Sequence, residues 1–66
     1  MDFERITVDA NIMEGKPCFR GMRITVGLIV NLVANGMTAE EILRSYPDLE
    51  PADIEACLHY AACLAD

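Results

Sequence analysis

The sequence predicts a mainly α domain, three helices in helix-turn-helix geometry behind a short N-terminal β arm. Three observations predict it. Val26 to Asn35 is almost wholly apolar, with Thr25 before it and Gly36 after it. Thr38-Ala-Glu-Glu41 is a capping box that runs into Ile42 and Leu43. Pro51 opens a third segment that is free of further Pro or Gly up to Leu64. Only Gly36, Met37 and Thr38 separate the first two helices, which forces a sharp change of direction and a compact three-helix body.

The elements follow in chain order. Ile6 and Val8 alternate with Arg5 and Thr7, the period of a half-buried strand, over Arg5–Val8. Residues 9–15 are a turn-rich connection. Pro17 and Gly21 limit any second strand to a short piece around Met22–Ile24, so the arm reads as a small hairpin. The first helix is expected over Val26–Asn35, with Thr25 as its N-cap and Gly36 just past its end. Val26, Ile29, Val30, Leu32 and Val33 form a wide apolar arc and no residue is charged, which places this helix centrally. The second runs from Ala39 to about Tyr46 and stops before Pro47, with Ile42, Leu43 and Tyr46 inward and Glu40–Arg44 paired on the solvent side. The third covers Pro51–Leu64, with Asp53 in the first turn, where the helix dipole favours acids. The chain thus divides into an arm, residues 1–24, and a body, residues 25–66, of one domain.

Composition bounds what such a domain can do. Sixty-six residues bury only about 60% of their unfolded surface. Yet 53% of the residues are hydrophobic and the mean hydropathy is +0.24. Some apolar surface should therefore be covered by a partner, and a homodimer is expected, with a heteromeric complex as the alternative. The third helix has an apolar arc wider than one neighbour needs, and small residues that admit a second backbone. Ile54, Cys57, Leu58, Tyr60, Ala61 and Leu64 are the candidate dimer interface.

The net charge of −6 resides entirely in residues 37–66, where seven acids face Arg44 alone. Residues 1–36 balance four acids against Arg5, Lys16, Arg20 and Arg23. An acidic body repels phosphate backbones, so generic nucleic-acid coating is excluded and only a local contact by the arm remains. Three cysteines without a C-x-x-C pair fit a reducing cytoplasm rather than a disulfide scaffold. The acidic N-terminus does not resemble a secretion signal, and no apolar run could span a bilayer.

Catalysis and cofactors find little footing. His59 lies four residues from Glu55 and from Cys63, but nothing else in the sequence supplies an oxyanion site, and no catalytic residue is assigned. Cys57 and Cys63 are about 120° apart on a helical wheel and no second histidine exists, so no metal site is expected. Gly15-Lys16 lacks the glycine spacing of a phosphate loop. Major-groove reading needs Arg, Lys, Asn or Gln on the last helix, and residues 51–65 contain none of them. Lys16, Arg20 and Arg23, with Arg5 before them, are the candidate contacts for a partner protein or nucleic acid. The competing reading pairs them with Glu40, Glu41 and other acids of the body.

The arm also carries a motif. Gly15-Lys-Pro-Cys-Phe-Arg-Gly-Met-Arg-Ile24, then Gly36-Met-Thr-Ala-Glu-Glu-Ile-Leu43 and Tyr46-Pro-Asp-Leu49, resembles the signature of the domain-of-unknown-function family 433, with Met22 where threonine is more usual. Asp53 to Ala61 is similar to that family's last helix, so the resemblance covers nearly the whole chain. It implies a homeodomain-like or winged-helix-like fold in a prokaryotic protein. It also implies kinship with VapB-type antitoxins encoded beside PIN-like nuclease toxins. Gly15, Pro17, Cys18, Gly21 and Ile24 are the motif's backbone positions, its glycines permitting shapes closed to other residues. The expectation is a non-enzymatic, antitoxin-like binding module that docks on a partner such as a PIN-like nuclease through the basic arm. The alternative is a dimeric DNA-binding transcriptional regulator of its own operon. No cofactor and no membrane partner are expected.

Overall fold

The structure, a computed structural model, describes residues 4–65. Residues 1–3 and 66 of the single expected domain lie outside the described residues. The order of elements is β1 (Ile6–Thr7), a 3-10 turn (Met13–Gly15), β2 (Cys18–Phe19), α1 (Val26–Ala34), α2 (Ala39–Ser45) and α3 (Pro51–Ala65). The architecture is mainly helical, with one two-stranded antiparallel sheet that pairs Ile6 with Phe19 and Thr7 with Cys18.

The second strand lies at Cys18–Phe19, not at Met22–Ile24 as the glycine and proline positions suggested. The reason is the turn that follows it. Arg20 and Gly21 have φ of 45° and 75°, and the Met22 amide donates to the Phe19 carbonyl at 2.7 Å. Two consecutive positive φ values are what a type I′ hairpin turn requires, so the chain reverses directly after Phe19. The returning segment meets Cys18 in a single bridge at Thr25, and the Phe19 amide reaches the Ile24 carbonyl at 3.1 Å. Cys18–Phe19 is therefore flanked on both sides by backbone, and both residues are buried.

The helix ends follow local chemistry. The Thr25 hydroxyl accepts from the Leu28 amide at 3.1 Å, capping α1. At its far end the Gly36 amide bonds Val33 O and the Met37 amide bonds Leu32 O, with Gly36 at φ 90°, which is the Schellman closure. Both halves of the α2 capping box form, Glu41 N to Thr38 Oγ1 at 3.2 Å and Thr38 N to Glu41 Oε1 at 2.9 Å. The Thr38 amide, with the Thr38 hydroxyl donating to the same Oε1 at 3.0 Å, holds the Glu41 carboxyl below its ordinary range. Among the ion pairs of the described residues there is none between Glu40 and Arg44.

The core gathers Phe19, Val26, Ile29, Ile42, Leu49, Ile54 and Cys57. Phe19 brings the arm into it. α1 packs on α3, and α2 touches both. α1 is less enclosed than an uncharged helix suggests: Val26 and Ile29 are buried, Val30, Leu32 and Val33 are half-buried, and Leu28 is exposed. On α2, Ile42 is buried and Leu43 and Tyr46 are half-buried. The expected dimer face needs correction at two positions. Ile54 and Cys57 point into the protomer's own core, because the stripe they share with Asp53 is the one that meets the arm and the other helices. Burial pushes the Cys57 thiol up to about 11, with the Asp53 charge adding to it.

Candidate functional site

The arm's geometry is set by one carboxylate. Asp53 is the third residue of α3, and its side chain is wholly buried. Its Oδ2 reaches back to the Glu50 amide at 2.8 Å, as an acid in the first helical turn can, and so fixes the helix entry. The remaining lone pairs face the arm. Arg20 closes a fork on it, Nε to Oδ1 at 3.2 Å and Nη2 to Oδ2 at 2.8 Å, and Arg5 Nη1 meets Oδ1 at 3.1 Å. Four donors thus occupy the four acceptor positions of one carboxylate.

The same guanidiniums bind further groups. Arg20 Nη2 donates to the Asp48 carbonyl at 2.7 Å, and Arg5 Nη1 to Glu50 Oε1 at 2.6 Å. The Arg20 amide bonds the Arg5 carbonyl at 2.9 Å, so the two arginines are also neighbours through the backbone. Burial alone would push the Asp53 carboxyl up. Hydrogen bonds from Arg20, the Glu50 amide and Arg5 outweigh it and hold the group below its ordinary range. Hydrogen bonds to Glu50 and Asp53 raise Arg5, and the bond to Asp53 raises Arg20.

Each remaining motif residue has a local duty. Gly21 sits at φ 75° in the turn, and its amide donates to Thr7 Oγ1 at 2.9 Å. The Pro17 carbonyl accepts from the first amide of α1, Val26 N, at 2.9 Å. The Cys18 thiol donates to the Lys16 carbonyl at 3.3 Å. Ile24 packs half-buried on the core. Gly15 closes a turn in which Met13, Glu14 and Gly15 all have left-handed φ, at 49°, 58° and 80°. A side chain at Gly15 would fit the space and still be strained by that φ.

The candidate contacts therefore divide. Arg5 and Arg20, though part-exposed, are both held by Asp53, a pairing partner the sequence did not single out, with Glu50 holding Arg5 as well. Lys16 and Arg23 are exposed, and among the described residues neither enters an ion pair. Lys16 borders a cleft of about 440 Å³ with Pro17, Thr25, Gly27, Leu28 and Asn31. An apolar groove of about 250 Å³ adjoins it at Pro17 and Gly27, and continues between α1 and α3 past Val30, Tyr60, Ala61 and Leu64.

Asp53 was legible only as an acid favoured at a helix start. Its partners lie 33 and 48 residues earlier, and no local pattern connects them. Among the described residues no three His, Cys, Asp or Glu side chains are placed to share a metal ion. No helix of the described residues is long and apolar enough to cross a membrane.

Fold and clamp together define a small helical domain whose strand hairpin is locked to its last helix by a shared carboxylate. The chain belongs to the family described as protein of unknown function (DUF433), whose model matches residues 6–61. It is similar to a DUF433 member protein from Anabaena variabilis ATCC 29413, of known crystal structure, at 30% identity and a TM-score of 0.81. That likeness covers 85% of this chain and 55% of the other, so the present chain spans little more than half its neighbour's length. Among curated proteins none matches this chain.

Proposed function

We propose that this chain is a non-enzymatic binding module, antitoxin-like in role, that docks through its arm on a partner protein carrying clustered carboxylates, such as a PIN-like nuclease. The observation that carries the reading is the division of labour among the arm's cations. Arg5 and Arg20 brace the arm against Asp53, and Lys16 and Arg23 are left exposed on a scaffold that is already fixed. A pre-organised guanidinium meets a carboxylate pair with less loss of freedom than a flexible one. Arg23 replaces Arg20 as the group expected to enter the nuclease's metal-binding carboxylates, because the fork of Arg20 is already occupied. A reducing cytoplasm suits the three unpaired cysteines.

Co-purification with the product of the neighbouring gene tests the reading. The complex should form with the wild-type chain and be lost with the double substitution Lys16→Ala and Arg23→Ala. A neighbouring nuclease that keeps full activity in excess of this protein would sink it. The alternative, a dimeric DNA-binding regulator with a helix-turn-helix body, draws less support. α3 offers no Arg, Lys, Asn or Gln for base edges, and the exposed acid near its N-terminal end, Glu55, would meet any approaching phosphate. A specific gel shift with the chain's own upstream DNA would restore it.

A further inference from the structure

The formal charges of this chain avoid one part of its surface. Residues 24–39 and 56–65 contain no Asp, Glu, Lys or Arg, and these stretches include all of α1 and the C-terminal two thirds of α3. The apolar groove lies between those two helices. Its floor includes Gly27, where a side chain would meet no heavy atom within 4 Å, and the small Ala61. Beside this hollow stands Leu64, 69% exposed and itself part of the groove's wall. Tyr60 forms the other side, half-buried.

We infer that a second copy of this chain covers the groove, in a two-fold contact where Leu64 of each copy enters the hollow at Gly27 and Ala61 of the other. Three considerations select a second copy over a foreign protein. A two-fold contact needs a projection and a matching recess on one and the same face, and this face has both. Two chains of net charge −6 repel each other wherever their acids face, so a self-contact must use the uncharged face. A groove without charge offers a foreign partner no electrostatic selection and leaves shape as the only criterion. Area is the remaining requirement. A stable interface takes about 800 Å² from each partner, roughly a fifth of the 4397 Å² surface. The groove alone does not supply that area, but it continues through Pro17 and Gly27 into the cleft beside Leu28 and Asn31. Lys16 borders the cleft into which the contact extends, but the groove itself is lined by neither Lys16 nor Arg23, so the dimer can fail or stand independently of docking through Arg23.

Light scattering or sedimentation of the purified chain tests the inference. The wild-type particle should have twice the 7.3 kDa chain mass at micromolar concentration. Gly27→Glu should halve that mass while keeping the helical circular dichroism. The protomer has room for the side chain, an acid in the first turn suits the helix dipole, and removing a helical glycine favours folding. Leu64→Lys should act likewise, and Leu58→Lys, exposed but outside the groove, should leave the dimer intact. A wild-type mass of 7.3 kDa throughout the micromolar range, a Gly27→Glu chain that remains dimeric, or a dimer lost on Leu58→Lys would each overturn it.

Discussion

The arm and the helical body of this chain reach order by opposite routes. In the arm the two paired strands are two residues long, five positions between 13 and 21 (Met13, Glu14, Gly15, Arg20 and Gly21) have positive φ, and the shape is held by donors converging on Asp53. In the body all three helices start, and α1 and α2 stop, on local signals, and the helices adhere through apolar side chains. The contrast shows why identical residue types have different fates. Arg20 and Arg23 are three positions apart in one motif. One is fixed by a buried acid and the other projects into solvent.

Substitutions can break this comparison or sharpen it. Phe19 joins the two regions, and Phe19→Ala should cost about 3–5 kcal/mol, most or all of the stability of a domain this small. Urea unfolding would read that loss. Asp53→Asn leaves two part-exposed guanidiniums facing a neutral amide, and because water screens the charges left behind, the loss should be clearly measurable but smaller than that of Phe19→Ala. If instead the arm were held mainly by its strands, Asp53→Asn would hardly shift the urea midpoint.

Acid should reproduce part of that loss. The carboxyl of Asp53 is depressed in the folded chain, so its contribution is complete above the unfolded value of about 3.9 and disappears as pH falls through the lower, folded value. Thermal melts of the wild type should therefore decline more steeply below about pH 4 than those of Asp53→Asn.

In the body, Thr38→Ala removes one cap and should cost about 1 kcal/mol, lowering the helix melting point without disturbing the arm. Lys16→Ala and Arg23→Ala should change stability by less than about 0.5 kcal/mol, whatever they do to partner binding. Smallest in its effect is thiol chemistry: a maleimide should label exposed Cys63 in the native chain and reach Cys18 and Cys57 only on unfolding.

The body was largely legible in the sequence because its signals are local. Thr25, the Thr38–Glu41 box, Gly36, Pro47 and Pro51 each act within a few residues of themselves, and the five helix ends they mark fall within one residue of the expected positions. The arm was legible as a motif and not as a geometry. Arg20 in a left-handed conformation is unusual, and the sequence holds no sign that Asp53 would stabilise it there. For the same reason four basic residues looked alike as contacts, and only the folded chain separates the two that pair with acids from the two that, among the described residues, enter no ion pair. On α3, hydrophobic periodicity identified the stripe of Ile54 and Cys57 but could not say whether it faces its own protomer or another.

The clamp also has a bearing on how the chain is made. Arg5 and Arg20 leave the ribosome well before Asp53, and until the first turn of α3 has emerged their guanidiniums have no acid to close upon. The N-terminal segment, synthesised first, is completed last, and a nascent chain halted after α2 would carry its motif with the hairpin unlocked.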